Sequence, residues 1–474
     1  MTTPLTTEGR EEPHAIIAGL TDRGRAAMAA FENRDQASID EAVTALAWSI
    51  YKPENAERLA RLAVEATGLG NVRDKITKNQ RKTFGTLRDL MRAKTTGVIE
   101  ELPALGLVKY AKPIGVVAAI TPSTNPAATP VNKAMMAVKG GNAVIIAPSP
   151  AGYAATAAAV EGMRAELRKI GAPEDLVQIL PAPVDRERTK LLMASADLIV
   201  CTGSQNNVRE AYSSGRPAIG VGAGNVPVII DETADLTSAA EKITASKTFD
   251  NATSCSSENS VIIVDEVFEA AIQALSSAGG YMTTPEEGRR VVDRLWVDGK
   301  LNRKVIAKDA SILAGLFDLP DEAMAARYIM VEETGVGQGH PLSGEKLSLV
   351  LTVYRARDFR HAKQITGDIL AFQGRGHSLG LHTNRLERAR ELAEDMEVVR
   401  VLVNQAHTFA NGGGFDTGLP FTLSMGCGSW GGNSIAENLN VNHFINITHL
   451  VTSVAEDKPA EEKLFGAYWE KYGQ

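Results

Sequence analysis

Residues 112–150 read KPIGVVAAITPSTNPAATPVNKAMMAVKGGNAVIIAPSP, and this stretch decides the fold class. Two short, continuously apolar segments, GVVAAI and AVIIA, stand on either side of a helical pattern that ends at Gly140 and Gly141. Apolar segments without alternation are typical of strands buried on both faces, as in parallel sheets whose connections are helices. The stretch therefore predicts one β-α-β unit of a doubly wound sheet.

The same alternation of strand and helix continues to residue 231, where AIGVGAGNVPVIID (218–231) is interpreted as one strand. A second series follows, with strands predicted in SVIIV, KVIAK, ARYIMVEE, LSLVLTVYRA and LGLHTN. We therefore predict an α/β protein with two doubly wound parallel-sheet domains. Strands of the first series end in small polar segments such as TPSTNP, APSP and CTGS, at the edge where doubly wound sheets bind ligands. Residues 1–235 would therefore form a helical N-terminus and a Rossmann-like cofactor domain, and residues 236–434 the catalytic α/β domain entered at Cys255.

Two apolar strand patterns lie outside both series, EELPALGLVKYAKP (100–113) and VNHFINITHLVTSV (441–454). We predict that a segment at about 99–113 and the C-terminal residues 435–474 form a small arm with a terminal surface helix. Exposed strand edges are normally covered, and pairing between subunits covers them efficiently. A homodimer or homotetramer is therefore expected.

Composition excludes several classes of protein. The net charge is −7 and the isoelectric point about 5.8, which argues against nucleic acid or an anionic membrane as a partner. Three cysteines in 474 residues are too few for a disulfide framework. The N-terminus, MTTPLTTEGREEP, has no apolar signal region, so we expect a cytoplasmic protein. No cluster of histidine, cysteine and aspartate has metal-ligand spacing, so no metal is expected.

Cys255 lies in SKTFDNATSCSSENSVIIV (246–264), where serine and threonine flank it and an apolar strand pattern follows at once. A cysteine that only fills space is normally found among apolar neighbours. In a polar turn the thiol is accessible, and backbone N–H groups there are able to hold an oxyanion. The residues themselves leave two interpretations open, a nucleophile and a structural thiol.

The other two cysteines have different surroundings. Cys201 lies inside the apolar strand DLIVC and is predicted to be a small buried hydrophobic residue. Cys427 lies within a match to the dinucleotide-binding pattern GxGxxG, at Gly426, Gly428 and Gly431. Because no strand-turn-helix unit surrounds this match, we interpret it as a tight loop that lines a cleft.

Several segments together resemble one family. They are AITPSTNPAATP, CTGSQNNVREAYSSGRPAIGVGAGNVP, SKTFDNATSCSSE, SGEKLS and GCGSWGGN. From about residue 112 to about residue 433 the chain resembles the CoA-acylating branch of the aldehyde dehydrogenase superfamily. Within it, the chain looks like the subgroup that acts on sulfoacetaldehyde in bacterial sulfonate breakdown. The resemblance implies oxidation of an aldehyde to its acyl-CoA thioester, with NAD or NADP as cofactor and CoA as co-substrate.

The resemblance also implies roles for matching residues. Cys255 would attack the aldehyde, and the Asn125 amide would stabilise the oxyanion together with the backbone N–H of Cys255. His377 would take a thiol proton, with a hydrogen-bonded structural histidine as the alternative. Glu345 would hold the nicotinamide ribose, and Gly203 and Ser204 would open a helix facing the pyrophosphate. The residues implied at the cofactor are Thr121, Ser123, Thr124, Ser149, Gly203, Ser204, Gly222 and Glu345.

Two departures from the hydrolytic branch of the superfamily bear on function. Val221 occupies the position of a glutamate that activates water there, so an acyl group on Cys255 would pass to a thiol such as CoA instead. APSP (147–150) stands where that branch has a lysine near the adenosine ribose. Arg186 and Arg188 would meet a 2′-phosphate, which favours NADP slightly, and NAD stays open.

Other readings stay open from the sequence. In one alternative, the substrate is another short aldehyde, such as acetaldehyde, propionaldehyde or succinate semialdehyde. In a second, the chain is a hydrolytic aldehyde dehydrogenase. A third reading is a cysteine acyltransferase without a nicotinamide cofactor.

Basic residues are frequent from Arg73 to Lys94, which is typical of a solvated helical face. Two residues of that stretch, Lys78 and Arg81, are candidates for contacting a sulfonate, and so is the loop 405–417.

Overall fold

The computed structural model describes residues 13–474, so most of the N-terminal segment considered above for a signal lies outside the described residues. The described part of the chain begins with four helices, of which the first packs on the first sheet and the other three pack mainly on helices that cover this sheet, and the chain then enters the predicted arm. These elements are α1 (Pro13–Phe31), α2 (Gln36–Tyr51), α3 (Pro53–Thr67), α4 (Val72–Met91), β1 (Gly97–Leu102) and β2 (Leu107–Pro113).

The first sheet has five parallel strands in the order β5-β4-β3-β6-β7. Strands and helices alternate as β3 (Val116–Thr121), α5 (Ala128–Lys139), β4 (Ala143–Pro148), α6 (Tyr153–Lys169), β5 (Val177–Ile179), α7 (Arg186–Ser195), β6 (Leu198–Cys201), α8 (Gln205–Ser213) and β7 (Ala218–Gly220). Every residue of β3 and β4 is buried, which explains their continuous apolar sequences. The prediction of a doubly wound parallel sheet is confirmed.

The strand order of the first sheet reverses between β3 and β6, because the chain builds β4 and β5 on one side and β6 and β7 on the other. Such a reversal opens a crevice at the carboxyl ends of the strands, where doubly wound sheets bind ligands. Lys133, fully buried on α5, ties the two strands together there. Its Nζ donates to the carbonyl oxygens of Ile120 and Val200, at 3.0 Å each.

The second sheet has seven parallel strands in the order β10-β13-β14-β9-β8-β15-β16. Its elements, with the hairpin β11–β12, are β8 (Val226–Ile230), α9 (Leu236–Thr248), β9 (Glu258–Val264), α10 (Phe268–Ser277), β10 (Gly280–Met282), α11 (Pro285–Leu295), β11 (Trp296–Val297), β12 (Lys300–Leu301), α12 (Ala310–Leu316), α13 (Asp321–Met324), β13 (Tyr328–Glu332), β14 (Val350–Ala356), α14 (Phe359–Phe372), β15 (Leu379–His382), α15 (Leu386–Asp395), β16 (Val401–Val403) and α16 (His407–Ala410).

Two strand predictions are wrong. The segment 218–231 forms two strands, since β7 pairs with β6 in the first sheet and β8 pairs with β9 and β15 in the second. The chain therefore crosses between the sheets within residues 221–225, ahead of Cys255 and of the boundary expected at residue 235. The segment KVIAK (304–308) is a turn, in which Val305 and Ala307 are buried without strand pairing. The division into separate domains stays a prediction.

The arm is a three-stranded antiparallel sheet of β1, β2 and β17 (Ile445–Val451). The two segments predicted outside both large sheets do lie there, although 100–113 forms the hairpin of β1 and β2 rather than a single strand. The chain ends in α17 (Glu461–Tyr472), which buries none of its residues, as predicted for a surface helix. Among residues 13–474, no helix has the length and apolar character that crossing a membrane requires.

Candidate active site

A cavity of about 460 Å³ lies at the carboxyl ends of β3, β4 and β6, where the turn carrying Cys255 faces the first sheet. It includes the crevice expected from the strand order. Of the predicted site residues, those lining this cavity are Cys255, Asn125, Thr121, Ser123, Thr124, Ser149, Gly203, Ser204, Gly222 and Glu345. Residues separated by more than 200 positions are thus brought to one place, although the role of each in binding or catalysis stays a prediction.

His377 does not line this cavity. The side chain is fully buried, and its Nδ1 lies 2.7 Å from the hydroxyl of Ser378. Burial, with Arg400 nearby, lowers the pKa of His377 to about 3, so the imidazole is neutral at physiological pH. The arrangement favours the structural alternative for His377, and its predicted proton transfer has no supporting contact here.

The backbone before Cys255 is unusual. Asp250, Asn251 and Ala252 all have left-handed conformations, with φ of 50°, 53° and 59°. Aspartate and asparagine tolerate this region better than other residues with a side chain, whereas alanine there costs on the order of 1 kcal/mol. The segment FDNA therefore reverses the chain sharply after α9 and presents Cys255 to the cavity. The Asp-Asn pair at 250–251 is the signal in the sequence from which this turn could have been predicted.

Helix α4 holds this turn with buried lysines. The interpretation of the basic residues from 73 to 94 as a solvated face is wrong for Lys75, Lys78 and Lys82, which are 3%, 5% and 9% exposed. Their spacing of three and four residues places them on one face of α4. Asp250, fully buried, accepts from Lys75 at 3.0 Å and from Lys78 at 2.5 Å. Burial alone would raise the pKa of Asp250, but the two lysines hold it below its usual value.

The Asn125 side chain is oriented by the same cluster. Lys78 Nζ donates to Asn125 Oδ1 at 2.8 Å, and its other contacts are Asp250 and the hydroxyl of Thr253. With its oxygen held in this way, Asn125 has its amide N–H groups left for a ligand. Neither these groups nor the backbone N–H of Cys255 donates to an acceptor within the described chain. Two free donors beside a thiol are the arrangement that an oxyanion requires.

The crossing loop GVGAGN (220–225) packs directly over Cys255. A Cβ on Gly224 would lie 2.0 Å from the carbonyl oxygen of Cys255, so only glycine fits there. Val221, 6% exposed, lines the cavity on this side. The sole carboxyl group among the cavity-lining residues of the described chain is that of Glu345. No carboxylate therefore stands at position 221, where the hydrolytic branch would carry its base.

The thiol of Cys255 is partly exposed to the cavity but poorly solvated. Burial, with Glu345 and Cys427 close by, raises the pKa of the Cys255 thiol to about 12. Burial also raises the pKa of Glu345 to about 8, so this carboxyl is largely protonated at neutral pH. Cys255 and Glu345 are therefore both largely uncharged at neutral pH, and Cys255 is a thiol rather than a thiolate.

The rate at which iodoacetamide alkylates Cys255 is expected to rise about tenfold per pH unit from pH 7 to 9. Only the thiolate reacts, and a pKa raised to about 12 means that its fraction still grows with each unit in this range. The measurement is mass spectrometry of the Cys255 peptide. Cys201 and Cys427, both 0% exposed, serve as internal controls that stay unlabelled while the protein is folded. Fast alkylation of Cys255 at pH 7 with no pH dependence would contradict this account.

The remaining motifs have structural explanations. Cys201 lies in β6 and is fully buried, as predicted. Cys427 is also buried, and its backbone N–H and that of Gly222 both donate to Asn433 Oδ1, at 2.9 and 3.0 Å. The GxGxxG match is thus a loop that supports the cavity wall without a following β-α-β unit. Within residues 13–474, no three histidine, cysteine or acidic side chains group as metal ligands.

The fold and the cavity define an α/β protein with two parallel sheets and a cysteine at the crevice where the strand order of the first sheet reverses. The family model described as "Aldehyde dehydrogenase family" matches residues 20–284. The chain belongs to the aldehyde dehydrogenase family.

Similar proteins identify the branch. The chain is 50% identical to the acylating sulfoacetaldehyde dehydrogenase of Cupriavidus necator, over 97% of this chain and 93% of that protein. It is 44% identical to that of Bilophila wadsworthia, over 97% and 99% of the two chains. An acetylating aldehyde dehydrogenase from Geobacillus thermoglucosidasius has the same fold, with a TM-score of 0.90, 33% identity and coverage of 94% and 98%. The resemblance to the acylating branch is confirmed.

Proposed function

We propose that this protein oxidises sulfoacetaldehyde to sulfoacetyl-CoA with NAD or NADP and CoA, through a thioacyl group on Cys255. The observation that carries the proposal is the cavity in which Cys255, the Asn125 amide and the predicted cofactor residues meet, with valine at position 221. The similarity to two acylating sulfoacetaldehyde dehydrogenases supports the choice of aldehyde.

The cavity suits a nicotinamide dinucleotide. The Thr121 and Thr129 hydroxyl oxygens are buried in its wall without a hydrogen-bond partner in the described chain, and Glu345 has an unpaired carboxyl there. The N-terminus of α8, capped by Ser204, opens into the cavity and would hold the pyrophosphate. Glu345 would bind the nicotinamide ribose. When bound, the cofactor supplies a hydride acceptor.

The chain's own residues account for the covalent steps. The Cys255 thiol would release its proton to solvent as its sulfur bonds to the aldehyde carbon, and the Asn125 amide and the Cys255 backbone N–H would bind the oxygen that becomes negative. Lys78 would keep the Asn125 amide in that orientation through its 2.8 Å contact. After the carbon loses its hydride, a thioacyl group remains on Cys255. The thiol of CoA would then take the acyl group and release the Cys255 thiol.

Val221 disfavours the hydrolytic alternative, because a buried valine cannot accept a proton from water. The fit of the cavity to a dinucleotide disfavours an acyltransferase that needs no nicotinamide. The preference for NADP gains no support from Arg186 or Arg188. Arg186 pairs with Glu210, Arg188 donates to the Pro183 carbonyl at 3.1 Å, and neither lines the cavity.

The arm supports assembly into a homodimer or homotetramer. Ile447, Leu450 and Val451 of β17 are 45%, 45% and 69% exposed, and β17 is an edge strand of a small sheet. An edge of this kind is normally covered, and a second copy of the chain would cover it. A monomeric mass measured by light scattering would contradict this assembly.

The three free cysteines are consistent with a reducing, cytoplasmic environment.

The test is an aldehyde panel in which acyl-CoA formation is measured by mass spectrometry and reduced cofactor by absorbance. Sulfoacetaldehyde, acetaldehyde, propionaldehyde and succinate semialdehyde are each assayed with CoA and with either NAD or NADP. We expect sulfoacetaldehyde to give the highest kcat/KM and sulfoacetyl-CoA as product. A higher kcat/KM for an uncharged aldehyde would overturn the substrate, and reduced cofactor without any acyl-CoA would overturn the reaction.

A further inference from the structure

A second, smaller cavity of about 30 Å³ adjoins the site and shares Asn125, Ser254 and Leu423 with the larger one. A single water needs about 10–15 Å³, so a space of this size suits a compact group of a few atoms rather than a chain. Lys78, Arg81 and Lys82 of α4, with Thr408 and Phe409, form most of the rest of its wall. We call it the α4 pocket.

The α4 pocket is lined by cations without matching acids. No aspartate or glutamate is among its lining residues. Asp250 forms ion pairs with Lys75 and Lys78 but with neither Arg81 nor Lys82. Within residues 13–474, Arg81 forms no ion pair or hydrogen bond and its Nε is buried without a partner, and Lys82 donates only to the carbonyl of Gly412. Burial and the neighbouring charges of Arg81 and Lys78 lower the pKa of Lys82 to about 7, as expected where positive charge lacks a counter-ion.

Thr408 provides an independent sign of a missing ligand. Its side chain is 6% exposed, and its hydroxyl is buried with no hydrogen-bond partner in the described chain. The residue lines the α4 pocket together with the basic residues of α4. Buried hydroxyl groups almost always have a partner, so an unpaired one in a cationic cavity points to an acceptor that enters with a ligand.

We propose that the α4 pocket binds the anionic group of the substrate, with Arg81, Lys82 and the Thr408 hydroxyl as the donors that select sulfoacetaldehyde. The inference rests on the proposed function, since it assigns the far end of the same substrate. In sulfoacetaldehyde one methylene separates the sulfonate from the aldehyde carbon. With the carbonyl oxygen at Asn125, which lines both cavities, the sulfonate enters the α4 pocket. Lys78 takes no part in this contact because Asp250, Asn125 and Thr253 occupy its three donors.

The alternative for Arg81 is purely structural, because its guanidinium carbon lies 5.8, 5.2 and 5.8 Å from the ring centres of Phe409, Phe415 and Phe421. Arg88 offers a matched control. It lies on the same helix, 5.2 and 5.0 Å from the rings of Phe415 and Phe421, but it is paired with Asp89 and does not line the pocket. If Arg81 only packed against the aromatic rings, replacing Arg81 and replacing Arg88 would have the same effect on substrate preference.

The experiment compares kcat/KM for sulfoacetaldehyde with kcat/KM for propionaldehyde in the wild type, Arg81→Met, Thr408→Val and Arg88→Met. We expect the ratio of the two constants to fall about 10- to 100-fold in Arg81→Met, the usual effect of losing a hydrogen bond to a charged group. The same ratio should fall by a few-fold to about 10-fold in Thr408→Val, which removes the hydroxyl but keeps the shape of the side chain. The ratio in Arg88→Met should equal that of the wild type.

Ethanesulfonate serves as a probe that cannot react. Its competitive inhibition constant against propionaldehyde should rise in Arg81→Met and Thr408→Val but stay constant in Arg88→Met. Unchanged ratios and inhibition constants in Thr408→Val and Arg81→Met would overturn the assignment, and so would an equal fall in Arg88→Met. If Arg81→Met does not fold, the kcat/KM ratio and the inhibition constant of Thr408→Val are sufficient to test the assignment. Failure of the proposed function is distinct, since the wild type would then form no acyl-CoA or would have a higher kcat/KM for propionaldehyde than for sulfoacetaldehyde.

Discussion

Replacing Cys255 with alanine is expected to lower the rate of cofactor reduction by at least about a thousandfold, because no other group can form the thioacyl bond. Cys201 and Cys427, the other cysteines, are fully buried and cannot substitute for it. The measurement is reduced-cofactor absorbance with saturating aldehyde and CoA. Thermal unfolding of the variant is followed in parallel to show that the fold is retained.

Two further variants serve as references for the size of the rate loss in Cys255→Ala. Cys201→Ala removes one buried sulfur from β6 and should cost about 1 kcal/mol of stability with little change in rate. Asn125→Ala removes one oxyanion donor and should lower kcat by about 10²–10³-fold, leaving a measurable reaction. If Cys255→Ala kept a tenth of the wild-type rate, the nucleophile would have to be sought elsewhere.

Without CoA, aldehyde and oxidised cofactor are expected to give a single burst of about one equivalent of reduced cofactor per active site. A positioned general base contributes about 10²–10⁴-fold to such a step, and Val221 supplies none. Steady turnover with CoA should therefore exceed turnover without it by about 100-fold or more. The measurement is rapid-mixing absorbance followed by steady-state rates, with mass spectrometry of Cys255 for the thioacyl group.

Substitutions at Val221 test the reason for this dependence. Val221→Glu introduces a carboxylate at the cavity wall and is expected to raise turnover without CoA, whereas the similarly shaped Val221→Thr is expected to leave it unchanged. Burial of a new charge carries a cost, so thermal stability of Val221→Glu is measured beside its activity. A wild-type ratio near one, with the free acid as product, would place the chain among hydrolytic dehydrogenases.

The fold could be predicted because local sequence carries its signals. Continuous apolar strands such as β3 and β4 are buried on both faces, and this burial leaves a pattern that no tertiary information is needed to interpret. The failures lie where pairing depends on distant partners. Whether residues 218–231 are one strand or two depends on β6, β9 and β15, and KVIAK has strand-like residues but no strand to pair with.

The site divides in the same way. The turn around Cys255 and the small polar residues after the strands are local features, and parallel strands bring their carboxyl ends to one edge. The sequence by itself therefore determined most of the cavity wall and marked Cys255 as the candidate nucleophile. Only the tertiary structure decided the environment of α4. A helical face of lysines has the same sequence whether it meets water or a buried carboxylate, and Asp250 lies 175 positions beyond Lys75. The fold brings them together, and the low dielectric of the interior makes unpaired basic groups beside the site costly until an anion joins them.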